Sequence, residues 1–149
     1  MQATKVTGAV HAAMPWRAAG VAATDRSGRR IARGIAACAS GHSAEARVAD
    51  RYCDRGCTIL ERCWRSPAGE IDLILRDGDQ VVFVEVKKAE THDIAAHRLS
   101  RRQMDRICMA ALLYAERLPA GSLTDIRFDA GLVDAAGRVE ILENAFGLN

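Results

Sequence analysis

Between positions 69 and 88 the chain reads GEIDLILRDGDQVVFVEVKK, two apolar runs around a Gly-Asp pair. Alternating polarity on either side of such a pair predicts a β-hairpin. Side chains alternate along a strand, so a period of two sorts the residues. One face collects Ile71, Leu73, Leu75, Val82, Val84 and Val86, all aliphatic, and that face must pack on a core. The other collects Glu70, Asp72 and Ile74 with Phe83, Glu85 and Lys87. A two-residue loop at Gly78-Asp79 suits a type II′ turn, whose first central position prefers glycine. That register sets Asp72 opposite Glu85 and Glu70 opposite Lys87. A three-residue loop without a bulge would destroy the pattern.

On either side the periodicity changes. From about Ile35 to Arg55 it turns helical, with Ala37, Ala44, Val48 and Tyr52 on one face and Gly56 as the stop. Thr58 to Trp64 reads as a strand, and Ser66 to Gly69 as a loop. Residues 100–117 predict a second helix through Met104, Ile107, Ala111, Tyr114 and Leu118, closed by Pro119 and Gly121. His92 and His97 fall in the loop before it. Ile126 to Val133 and Val139 to Leu142 read as a last strand pair around Ala135 to Gly137. The order is helix, three strands, helix, two strands. It predicts an α/β fold with a central mixed β-sheet flanked by α-helices.

Composition narrows the picture. The 149 residues suit one domain, and 49% hydrophobic content is enough for a core. Residues 1–33 are rich in Ala, Gly and Arg, with Asp25 as their one acid, and read as a basic, disordered extension. The folded domain is then 34–149. No apolar run approaches the roughly 18 to 20 residues that span a bilayer, so the expectation is a soluble protein with no membrane partner. Five cysteines, an odd number without a CxxC pair, argue against a disulfide framework and point to reduced thiols in the cytoplasm. The spacing of Cys and His does not suit zinc. Net charge is only +2, so nucleic-acid contact would need a local patch.

The polar end of the hairpin is the candidate chemistry. Like charges opposite one another in a sheet are destabilising. Three carboxylates against one lysine therefore raise a carboxylate pKa unless a cation joins them. Mg²⁺ takes about six oxygen ligands, usually one or two carboxylates with waters and substrate phosphate. Asp72, Glu85 and the carbonyl of Val86 could supply the protein share, with Lys87 beside an attacking water. Such a set suits phosphodiester hydrolysis. A hairpin with one polar face and Glu–Lys decoration is the plainer alternative. After the hairpin come Arg98, Arg101, Arg102, Gln103 and Arg106, with Lys88 ahead of them. Arg102 and Arg106 are four apart and share a helix face. This patch suits phosphate oxygens, and no base-reading motif accompanies it.

GEIDLI followed by VFVEVK resembles the D…ExK core of the restriction-endonuclease-like, or PD-(D/E)xK, nuclease superfamily. The chain is more closely similar to the YraN-type family of bacterial proteins. The resemblance spans about Gly41 to Gly147 through GHSAEARVADRY, GCTILERCWR, the hairpin, RRQMDRI, RFD and NAFG. It implies a nuclease-like fold similar to that of archaeal Holliday-junction resolvases. It also implies Asp72 and Glu85 as ligands of Mg²⁺ (or Mn²⁺), and Lys87 as the catalytic lysine. Glu45, at the family's AE position, would complete the metal shell. Glu70 would act as a ligand, an outer acid or a partner for Lys87. DNA is the implied substrate, with branched or repair intermediates foremost and RNA left open. A junction cutter would want a symmetric homodimer. Ile71 replaces the superfamily proline, and KAETHDIAAHRLS lacks the Phe-Gly segment many relatives carry after the lysine.

Overall fold

A computed structural model describes residues 44–147. The expected extension at 1–33, the helix start near Ile35 and the place of Ala37 lie outside the described residues. Helix α1 covers residues 44–54. Strands β1 (Thr58–Arg65), β2 (Glu70–Asp77) and β3 (Gln80–Lys88) follow. Next come α2 (His92–His97) and α3 (Arg101–Ala115), then a 3₁₀ turn at Gly121–Leu123, β4 (Ile126–Val133) and β5 (Val139–Leu142). The five strands form one sheet in sequence order. β3 and β4 are parallel and the other pairs antiparallel, so the sheet is mixed. A parallel pair needs a crossover, and α2 and α3 provide it.

The hairpin register is as the turn predicts. Asp77 pairs with Gln80, leaving Gly78 and Asp79 as the loop, and Leu73 pairs with Val84. Gly78 has φ 59, the left-handed value its place in the turn requires. Gly56 ends α1 at φ 86.

Both faces of the sheet are covered. On one, Ala44, Val48, Ala49 and Tyr52 of α1 pack on Leu73, Leu75, Val82, Val84 and Val133. On the other, Ile107, Cys108, Ala111 and Tyr114 of α3 pack on Ile74, Val81, Phe83 and Phe128. The second face of the hairpin is therefore apolar over most of its length and polar only at one end. Ile71 departs from its predicted company. It is buried with the α3 cluster, beside its β1 partner Trp64. Trp64 in turn meets Tyr114 edge-on at 5.2 Å. β1 carries a register shift between Ile59 and Glu61 and a left-handed residue, Cys63, at φ 48. Such irregularities re-aim side chains at a sheet edge.

One element was not expected. The loop after β3 holds the short helix α2, with Thr91 Oγ1 accepting from the Ile94 N–H at 3.3 Å. Its Ala95 is buried with Ala89, Ala130 and Leu132. Six residues are too few for a periodicity to declare itself, and tertiary burial sustains the turn.

Candidate functional site

Along the α3-facing side of the hairpin, the turn end presents Ile74 and Phe83 and the open end presents Glu85 and Lys87, with Asp72 reaching in from the end of the β2–β3 pairing. The helix above changes character at the same level. Ile107 and Ala111 cover the apolar part, and Gln103, one turn earlier, donates from Nε2 to Glu85 Oε1. The β2–β3 pairing ends at Leu73 and Val84, and Asp72 and Glu85 are the residues that follow on each strand. There the Asp72 carboxylate accepts the Val86 N–H at 2.7 Å. Lys87 Nζ lies 2.6 Å from Glu85 Oε1. Glu85 is 4% exposed.

Electrostatics follow from that crowding. Burial first, and then the charge of Glu85, push the Asp72 carboxyl up to about 7. Burial also raises Glu85, while the hydrogen bond and charge of Lys87 oppose the rise. The two acids influence each other's ionisation and titrate as a pair. Glu45 reaches the same neighbourhood from α1 on the other side of the sheet, and its charge raises both acids further. Its Oε2 accepts from Cys63 Sγ at 3.3 Å. Burial and the Glu45 contact push the Cys63 thiol up to about 12, so it stays protonated and inert.

Whether these residues suit a divalent cation turns on donor chemistry. One half-buried and one buried carboxylate, with an adjacent backbone carbonyl at Val86, match the one or two carboxylates Mg²⁺ takes from a protein. Among the described residues no three His, Cys, Asp or Glu side chains converge tightly enough to hold a metal alone. Waters and a substrate phosphate would have to supply the remaining ligands.

Other predicted residues are sorted by their contacts. Glu70 does not meet Lys87. It pairs with Arg65 at 2.9 Å, its cross-strand neighbour on β1. The prediction weighed only the hairpin partner, and β2 has a strand on each side. Gln103 turns inward to Glu85 and so is not part of the outer basic patch. Arg98 Nη1 donates to the Lys88 carbonyl at 2.8 Å, and Arg101 pairs with Asp105 at 3.2 Å. Arg102 and Arg106 line a groove of about 480 Å³ with Gly69, Glu70, Ser100, Gln103 and Ile107. His97 is exposed, whereas His92 is half-buried between Glu140, at 2.9 Å, and the Arg138 carbonyl.

Sequence reasoning missed a second charged cluster. Asp129, fully buried on β4, accepts from Tyr52 Oη at 2.7 Å, from Arg127 Nε and Nη2 at 2.9 and 3.0 Å, and from the Asn144 N–H at 2.9 Å. The available signal was RFD, a charged pair two residues apart inside an apolar strand. Only a same-face pairing of Arg127 and Asp129 makes that tolerable.

Comparison with known proteins places the chain. The profile of the Uncharacterised protein family UPF0102 matches residues 44–133. A UPF0102 protein of Cereibacter sphaeroides (strain ATCC 17029 / ATH 2.4.9) is 55% identical over 107 residues, covering 72% of this chain and 92% of the relative. One from Ruegeria pomeroyi is 50% identical over 108 residues, covering 72% and 88%. One from Dinoroseobacter shibae is 45% identical over 115 residues, covering 77% and 86%. The chain belongs to the UPF0102 family, and Asp72, Glu85, Lys87 and Gln103 all lie inside the matched segment. Among the described residues no helix is long and apolar enough to cross a membrane.

Proposed function

We propose that this UPF0102 member is a Mg²⁺-dependent nuclease of the restriction-endonuclease-like kind, hydrolysing phosphodiester bonds in DNA in the cytoplasm. Branched and repair intermediates are the substrates of first interest. The observation that carries the reading is the pair Asp72 and Glu85: a half-buried and a buried acid on neighbouring strands, both raised in pKa, with Lys87 Nζ 2.6 Å from Glu85. A fold that needed these acids only for structure would gain by giving each a cationic partner, as it does for Asp129.

In this reading Asp72, Glu85 and the Val86 carbonyl hold the cation, and Mn²⁺ would substitute for Mg²⁺. The bound ion would supply a lowered water pKa and offset charge on the phosphoryl group. Gln103 keeps the Glu85 carboxylate in one orientation, the role an outer partner plays at metal sites. Lys87 carries protons on a short tether at the edge of the acidic pair. It can orient a water or meet a non-bridging phosphate oxygen as charge builds. A cutter of junctions would work as a symmetric homodimer, since two strands must be cleaved.

A second reading rests on a specific feature. Glu85 is already served by Lys87 and Gln103, and no three ligating side chains converge among the described residues. That favours a nucleic-acid-binding module of the same architecture that does not cut. Supercoiled plasmid and a four-way junction, each with and without Mg²⁺, separate the two, with Glu85→Ala as control. The nuclease reading expects Mg²⁺-dependent cleavage that falls at least about a hundredfold in the variant. Equal cutting by the variant sinks it. Retention of DNA at low salt without cutting in either Mg²⁺ or Mn²⁺ selects the binding module.

A further inference from the structure

The arginines near the start of α3 look equivalent in sequence and are not equivalent in space. Arg98 is spent on the Lys88 carbonyl, Arg101 on Asp105, and Arg65 across the groove on Glu70. Arg102, by contrast, makes no hydrogen bond or ion pair within the described residues. Arg106 has one long contact, Nε to the Ala68 carbonyl at 3.5 Å. Both face the groove between the β1–β2 connection and the first turns of α3. That groove is continuous with the acidic centre, because Gln103 lines it and also touches Glu85. Its one carboxylate, Glu70, is held at the rim by Arg65.

The lining decides what fits. Two guanidinium forks and the Ser100 hydroxyl match phosphate oxygens. Among the described residues no aromatic ring lines the groove, so they offer no platform on which a base could stack. Ile107, buried at its floor, offers no hydrogen bond with which to read a base edge. A ligand here is held by its backbone.

We propose that this groove seats the phosphate backbone of a nucleic-acid strand next to the bond presented to Asp72 and Glu85, with Arg102 and Arg106 as its two phosphate-binding residues. The assignment rests on the function proposed above for the neighbouring centre, yet it is tested without cleavage. Arg102 and Arg106 are exposed, so their removal leaves the core intact.

The experiment is fluorescence anisotropy with the full chain and a short labelled duplex, in Ca²⁺ to suppress cutting, over a salt series. It compares wild type, the double variant Arg102→Ala/Arg106→Ala, Glu85→Gln, and Arg51→Ala as a control from a separate groove on α1. The double variant should bind at least about tenfold more weakly at low salt. Its slope of log affinity against log salt should be shallower by about 1.5, two phosphates' worth of counterion release. Arg51→Ala should keep the wild-type slope. Glu85→Gln reports on the cation centre without touching either arginine, so loss of cleavage there and a shallower salt slope in the double variant report separate failures. An unchanged affinity and slope in a double variant of wild-type melting temperature would overturn the assignment. So would preferential binding of phosphatidylserine vesicles over the duplex.

Discussion

Two buried acidic clusters lie in one sheet and are treated in opposite ways. Asp129 is fully buried, yet four donors converge on its two oxygens, two of them from the fork of Arg127. Burial and the Asp129 contact push the Tyr52 hydroxyl up, and the same carboxylate raises Arg127, so the proton and charge arrangement of that cluster is locked. At the open end of the hairpin, Asp72 and Glu85 share Lys87 as a nearby cation, and the pKa values of both rise. Burial is common to both clusters and the donor count is not. A carboxylate that the fold satisfies holds the structure together. Carboxylates left short of positive charge are poised to take it from outside.

The comparison breaks first at Asp129. Asp129→Ala strips Arg127 and Tyr52 of their shared acceptor, and a half-removed buried ion pair costs about 3–5 kcal/mol. Chemical denaturation should record a loss of that size, whereas Glu85→Gln, which removes repulsion, should leave stability unchanged or higher. Equal losses in the two variants would mean that both clusters are structural. α1 offers a second way to weaken the same clasp. A Cβ at Gly131 would come within 2.7 Å of Val48 Cγ1, so Gly131→Ala should cost about 1–3 kcal/mol by overpacking α1 against β4.

The acidic centre sets its own pH signature. Asp72 titrates near 7 in the folded protein and at its ordinary value when unfolded. Between those values the folded state binds more protons, so stability present below the unfolded pKa is lost as pH rises through 7. Metal-free protein should melt at a lower temperature at pH 8 than at pH 5. The decline should flatten in Asp72→Asn and with added Mg²⁺, because a bound cation favours the ionised pair. A slope that survives in Asp72→Asn would place its origin elsewhere. The smallest effect belongs to Gln103→Ala. Losing one outer partner of Glu85 should slow cleavage about 10- to 100-fold, with the melting temperature nearly unmoved.

Much of this was legible in the chain. Gly78-Asp79 makes the hairpin loop an even number of residues, and parity puts Glu85 and Lys87 on one side of the sheet, whereas Ile71 packs on the α3 side and breaks the alternation next to Asp72. The strands at Ile126–Val133 and Val139–Leu142 were legible because turn residues bound short apolar runs. α2 was not, being shorter than two turns. Nor was the Arg65–Glu70 pair, because parity within a hairpin says nothing of the strand on its other edge.

Local pattern, then, was sufficient for most elements and for the hairpin register, since each depends on spacing along a few residues. Which charges remain uncompensated was decided only by tertiary packing. Asp129 finds its donors 2, 15 and 77 residues away, and Glu85 meets Gln103 across 18. Arg102 and Arg106 differ from their neighbours only by the direction each faces once α3 lies on the sheet. Electrostatic fate is a sum over everything nearby in space, and sequence spacing does not carry that sum.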